Sequence, residues 1–490
     1  MRRLWNYMWE RPDDYRLITY LFLKGLALIY FAAFYSLAPQ IEGLAGSKGI
    51  LPLIDEQAAL TQQYGIWRFF LSPSLFWLHA SDSFLILVAS AGILCSLMLF
   101  LGAFPRLMLI SLYVLYLSLY HAGSLFMNFQ WETLLLEAGF LAIFLAHGGS
   151  RLVIWLMRWL LFRLRFLSGM SKIISGDPTW AGFTALNTYF ETQPLPHKGS
   201  WYAHQLPEWL LKVGTAGTLV VEILVPFLFL APRRLRMIGA AITIVWQLLI
   251  IATSNHNFIN LLTILLCLYL FDDDALRHAM PERMRNFGNN VLAELMYGES
   301  RIEKILLAFS ASFIVVASSL QVFFMLTASS APAWAGAIDN VARAYSVSNR
   351  YHVFPVMDTQ RLELITEWSY DGQTWQPLEF EYKPGHPMRA PEFIVPHQPR
   401  LDWIMWFVPK GGAPFIYTYQ RFLDRLREGS APVVSLLPID TFKHGPPKYF
   451  RAHIARYTFA DATSIRETGR WWNIRYHSPM WLPPVPYKPW

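Results

Sequence analysis

Charge is scarce in this chain. Only 15% of its 490 residues are Asp, Glu, Lys or Arg, against about 25% in an ordinary soluble protein. Cysteine is scarcer still: Cys95 and Cys267 are the two present. Both lie in apolar runs, where a thiol behaves as a small hydrophobe. CxxC redox chemistry, a cysteine zinc site and a disulfide-stapled fold are therefore not expected. Nucleotide-binding signatures are missing too. GLAGSKG at 43–49 is rich in glycine but lacks GK[ST], and no GxGxxG occurs, so no nucleotide is expected as a partner. There is no GxSxG elbow for ordinary lipase or esterase chemistry, and neither His204 nor His256 has an HExxH or HxxxH partner. No metal site is expected. A cleavable signal peptide is also absent from the reading, because the first apolar run is long enough to remain as an anchor.

What the chain has in place of charge is apolar and aromatic bulk. Residues of the hydrophobic class make up 54% and aromatics 16%, and mean hydropathy is +0.29. Spans need about 17–25 mostly apolar residues. Leu17–Leu37, Leu75–Leu101, Leu107–His121, Thr133–His147, Leu210–Leu230, Ile238–Ala252, Phe258–Phe271 and Ile305–Leu326 are candidates. Val153–Leu167 carries Arg158, Arg163 and Arg165 and reads as either a ninth span or an interfacial helix. The formal charge of +7 does not point to nucleic acid, because the arginines sit at the ends of apolar runs. Nine spans place Arg2, Arg3, Arg106, Arg151 and the Arg233, Arg234, Arg236 cluster on one side, as the positive-inside bias requires. Eight spans would put that cluster outside. The lipid bilayer is thus the first partner expected.

After Leu326 the pattern changes. RLELITEWSYDGQTWQPLEFEY alternates, turns at Asp371–Gly372 and alternates again, a hairpin signal. KYFRAHIARYTF and FIVPHQPRLDWIMWFV add strand-like runs, and Thr418–Glu428 reads as a helical insert. The fold expected is a multi-pass α-helical membrane bundle over residues 1–330, followed by a β-rich, sandwich-like extramembrane domain over 331–490.

Phe166–Pro207 is neither a span nor an ordinary linker. It holds Gly169, Lys172, Gly176, Asp177, Glu191, His197 and His204 among Trp180, Tyr189, Trp201 and Tyr202. Lys172, at an apolar boundary, loses proton affinity by desolvation and is a candidate general base. Asp177, Glu191 and His204 are candidates to set its protonation, and a plain salt bridge is the competing reading. Glu132, Glu137, Glu222 and Lys24 fall inside apolar runs, where charged groups face a bundle interior or a cavity. Either they serve a site, or they pair with Lys24 or with arginines and hold helices together. Asp272, Asp273 and Asp274 read as a solvated helix end, because adjacent residues do not converge on one helix face.

FQWETLLLEAGFLAIFLA at 129–146, SGMSKIISGDPTW at 168–180, TYFETQPLPHKGSWYAHQLP at 188–207 and NFINLLTILLCLYLFDD at 257–273 resemble the blocks of the lipase maturation factor family, in a bacterial version. In the last third, YKPGHPMRAPEFIVPHQPRLDWIMWF at 382–407, PPKYFRAHIARYTF at 446–459 and GRWWNIRY at 469–476 also fit. The resemblance covers nearly the whole chain. It marks Trp131, Glu132, Glu137, Trp180, Trp201, Asn257, Asn260, His397, Arg400, Trp403, Trp471 and Trp472 as motif residues. Animal members are endoplasmic reticulum proteins that help dimeric lipases reach their active form. The resemblance therefore implies a folding or assembly role toward an exported client such as a lipase. In a bacterium the place would be the inner membrane, with the β-rich domain in the periplasm.

GMSKIISGDPTWAG at 169–182 is also similar to the carboxylases that use reduced vitamin K, with Lys172 and Trp180 at the matching positions and a longer spacing here. That second resemblance implies an enzyme acting on a quinone, lipid or peptide. The readings to separate are thus a maturation factor without a known cofactor, a membrane enzyme with Lys172 as base, and a transporter, for which no inverted repeat is evident.

Overall fold

The computed structural model describes residues 7–10, 12–146, 149–279, 301–439, 441–442, 445–476 and 482–486. All nine predicted apolar segments are helical within these residues. Among the described residues five helices are long and apolar enough to cross a membrane: Arg16–Leu37, Asp82–Leu101, Glu208–Leu228, Arg233–Thr253 and Arg301–Thr327. Pro105–Ala122, Gln130–Ile143, Arg151–Ile174 and the shorter Ile259–Leu270 pack among them. Small residues let these helices close up, as lipid-embedded packing requires. A Cβ at Gly92 would run into the Phe34 ring, and one at Gly139 into the Tyr30 hydroxyl. Around these contacts Tyr30, Phe34 and Tyr116 form a buried aromatic knot, with Phe34 and Tyr116 centroids 5.1 Å apart.

The two ends of the bundle differ. At one end the arginines find partners: Arg233 pairs with Asp272, Arg106 with Glu303, and Arg158 donates to the Tyr269 carbonyl at 2.8 Å. Asp272 and Asp273 are buried, contrary to the sequence reading of a solvated helix end, whereas Asp274 is exposed. Asp273 is buried and accepts from the Leu17 and Ile18 amides at 2.9 and 3.0 Å, satisfying donors that a helix start leaves orphaned. Most of the remaining 272–303 loop, residues 280–300, lies outside the described residues.

The C-terminal region covers the opposite end. Its sheet is antiparallel, ordered β2 (Gln376–Pro377), β1 (Arg361–Ser369), β3 (Tyr449–Phe459), β4 (Trp472–Tyr476), with β5 (Leu482–Pro486) also pairing β3. β1 and β3 pair along their lengths, from Arg361 opposite Tyr457 to Ser369 opposite Tyr449. Strand alternation gives the sheet two apolar faces. One, with Leu364, Trp368, Phe450 and Ala452, meets the helix Ala413–Arg427, where Thr366 and Tyr419 share a 2.7 Å hydrogen bond. The other, with Ala455, Tyr457 and Phe459, meets Trp201 from the Phe166–Pro207 stretch. Among the described residues the layers on this sheet are therefore helices, not the second sheet of a sandwich. The hairpin forms at Asp371–Gly372, but its return strand is only Gln376–Pro377, followed by one further ladder bond from the Leu378 amide to the Thr366 carbonyl at 2.8 Å. FIVPHQPRLDWIMWFV, expected to hold short strand-like runs, forms none, and its second half opens the helix Arg400–Met405.

Candidate functional site

The helix Arg151–Ile174 carries Lys172 to the covered end of the bundle. Gly169, one turn earlier, permits this: a Cβ there would lie 2.8 Å from Glu222 Cβ and 2.6 Å from Ile223. The glycine thus brings the helix against Glu208–Ile223 at the position of Glu222. Lys172 Nζ donates to Glu222 Oε2 at 2.7 Å, to the Val353 carbonyl at 2.7 Å and to the Ser168 carbonyl at 3.2 Å. Arg165 reaches the other Glu222 oxygen at 3.2 Å. An ammonium has three donors, and all three are engaged. A lysine so held is a cation anchoring Val353, and the enzyme alternative gains nothing from this geometry.

The other three candidates do not join it. Asp177 caps the short helix Pro178–Ala181 and accepts from the Met357 amide at 3.0 Å. Burial works to raise its pKa, but hydrogen bonds from Thr179 and Met357 outweigh that and hold it below the usual value. Glu191 accepts from the Phe459 amide of β3 at 2.7 Å, and His204 Nε2 lies 3.7 Å from the same carboxylate. These two clamp the sheet to the stretch, as Trp201 does through its 2.8 Å bond to the Ala460 carbonyl. Trp471 packs on Trp201, and Trp472 stacks on Phe459.

The three buried glutamates of the apolar helices, Glu132, Glu137 and Glu222, follow one rule. Each holds a base, and each reaches the C-terminal region. Glu132 pairs with Arg400 at 2.7 Å and accepts from Trp131 Nε1 at 2.8 Å. Glu137 pairs with Arg163 and accepts from Tyr351 at 2.8 Å and Asn349 at 3.2 Å. Glu222 holds Val353 through Lys172. Lys24, the sequence-expected partner, instead donates to the Phe100 carbonyl. Smaller polar contacts repeat the pattern: Asn257 donates to Gln398 at 3.1 Å, and His397 shares a 2.9 Å bond with Ser36.

Between bundle and C-terminal region lies a cavity of about 810 Å³. Lys172, Trp180, Trp131, Asn260 and Trp403 line it, whereas Asp177, Glu191 and His204 do not. His256 also faces it, 2.5 Å from the Tyr189 hydroxyl, and burial pushes its pKa down to about 3. At the rim, Lys410 pairs with Asp358, and burial lowers its pKa to about 8. Sequence reasoning passed over Gln247 and the 349–357 segment, and read Arg165 only as a basic residue of the Val153–Leu167 run. Gln247 carried a usable signal, a polar side chain inside the apolar run VWQLLII. The 349–357 segment carried none, since its burial depends on a return into the bundle.

A multi-pass membrane protein whose C-terminal region is held over one end of the helix bundle by the buried Glu132–Arg400 ion pair and by hydrogen bonds to Glu137 and Lys172 is what these observations define. The model of the lipase maturation factor transmembrane domain matches residues 17–278, and that of the lipase maturation factor C-terminal domain matches 347–482. Lipase maturation factor 2 of Xenopus tropicalis is 33% identical, over 96% of this chain and 83% of its own length. Lipase maturation factor 2 of Homo sapiens is 32% identical over 94% and 82%, and lipase maturation factor 1 of Mus musculus 29% over 94% and 86%. No solved structure matches the chain. The protein belongs to the lipase maturation factor family.

Proposed function

We propose that this chain is a membrane-embedded maturation factor for exported proteins, with a lipase as client. It acts by holding the client in a chaperone-like way rather than by altering it covalently, and it uses no cofactor for that step. Its cell is bacterial, its place the inner membrane, and its C-terminal region faces the periplasm. The arginines gathered at the far end of the bundle support that orientation, because basic residues favour the cytoplasmic side.

The observation that carries the reading is the docking of the C-terminal region. Buried pairs at Glu132, Glu137 and Glu222 fix it rigidly on the bundle, which suits a platform for a partner. Beside that platform the segment Leu53–Leu78 displays Ile66, Trp67, Phe70 and Leu78, each more than half exposed. Exposed apolar groups clustered in this way mark contact with a protein or a membrane. A photo-crosslinking residue placed at Trp67 tests the reading. Crosslinking to an exported lipase during its synthesis is the expected result. Recovery of lipid adducts alone would overturn it.

A further inference from the structure

The cavity under the C-terminal region has features that holding a client does not use. Its volume of about 810 Å³ falls within the 300–1,000 Å³ of typical small-molecule sites. Several residues that line it carry a buried polar atom that makes no hydrogen bond in the protein: Trp180 Nε1, Trp403 Nε1, Gln247 Nε2, Asn260 Oδ1 and Arg165 Nε. All five side chains are buried, with Gln247 at 1% and Trp180 and Trp403 at 3% exposure. A buried donor without a partner is destabilising. Four of these five groups are donors, so the missing partner is an acceptor.

Charge points the same way. Arg165 and Lys172 share the single carboxylate of Glu222. Arg343 and Arg350, also on the lining, share Asp339. Lys410 and Asp358 balance each other. The wall therefore carries excess positive charge, which suits an anion.

The route in is apolar. Thr218, Trp246 and Ile250 carry the cavity wall onto the helices Glu208–Ile223 and Arg233–Thr253. Val213, Val220, Val245 and Leu249 of these helices are exposed, as lipid-facing residues would be. Gly217 leaves room for Trp246 to lie across the gap between them, since a Cβ there would meet its ring at 2.8 Å. A compound dissolved in the bilayer thus meets the cavity from the side.

We propose that the cavity binds a single-chain anionic amphiphile from the membrane, a long-chain carboxylate. Its head lies on the basic side of the wall, where Arg165 and Lys172 share one carboxylate, and its chain lies along the aromatic wall between the two helices. This proposal does not depend on the client being a lipase.

The test uses the full chain in detergent and a dibrominated stearate, whose bromines quench nearby indole fluorescence. Trp131, Trp180, Trp246, Trp403 and Trp406 line the cavity and report on it. Quenching should saturate and should be displaced by unlabelled stearate. Gln247→Glu keeps the acceptor that Asn260 uses at 2.7 Å but adds a negative charge, so it should weaken the stearate by about tenfold or more. The dibrominated methyl ester should not distinguish the two proteins. Quenching that rises without saturation and equally in both proteins would overturn the proposal. So would a methyl ester that binds as tightly as the acid. Displacement by a lipase polypeptide and not by stearate would assign the cavity to a protein segment and equally overturn it. A second variant, Ile250→Trp, narrows the route rather than the head site and should slow binding in a stopped-flow trace.

Discussion

Glu132 and Arg400 form a 2.7 Å ion pair with both side chains closed to solvent. One belongs to the helix Gln130–Ile143 and the other opens the helix Arg400–Met405, so the pair is a rivet between bundle and C-terminal region. Removing one partner of such a pair leaves an uncompensated buried charge, at about 3–5 kcal/mol. Arg400→Met should destabilise the protein by that amount in a denaturant titration in detergent. Arg400→Met combined with Glu132→Gln should recover part of the loss, because the stranded charge is gone.

Lys172→Met should behave more mildly. Glu222 keeps Arg165 at 3.2 Å, and the Val353 carbonyl loses its donor, for about 1–3 kcal/mol. The folded variant should retain client maturation, measured in cells at a temperature below its melting point. Complete loss of function in a stably folded Lys172→Met protein would point back to chemistry at this residue.

Gly169→Ala places a methyl group against Glu222 and Ile223. Forcing two helices apart by overpacking costs about 1–3 kcal/mol. The thermal midpoint should fall, whereas Gly176→Ala should act through its backbone alone, as Gly176 sits at φ 68° with nothing near its Cβ position.

Stability should fall on mild acidification. Burial takes the His256 imidazole from 6.5 to about 3. Between those values the unfolded chain binds a proton that the folded protein does not, so folding weakens as pH drops below 6.5. Each unit is about 1.4 kcal/mol for this one group. Denaturant titrations at pH 7 and pH 5 should differ by about 2 kcal/mol more in the parent than in His256→Asn.

Much of this was legible in the chain. Long apolar runs announced the helices, the alternating run before the DG turn announced β1, and KYFRAHIARYTF announced β3. Glu132, Glu137 and Glu222 were visible as charges in apolar surroundings, and their roles as pair members were one of two readings. What the sequence withheld is contact across distance. Nothing local links Arg400 to Glu132 or Val353 to Lys172, which lie far apart in the chain and meet only because the region after residue 345 folds back onto the bundle. The second layer of the expected sandwich was likewise misread. The apolar face of β3 at Ala455, Tyr457 and Phe459 did need a cover, but a helix carrying Trp201 supplies it.

The central claim is that this protein brings an exported lipase to its active form. The direct measurement is the specific activity of the secreted lipase, per mole of lipase protein, in cells with and without this chain. Activity per mole should fall steeply without it, while the lipase is still synthesised, and should return with the parent but not with a protein whose C-terminal region is undocked by Arg400→Met. Unchanged specific activity in cells lacking the chain would contradict it.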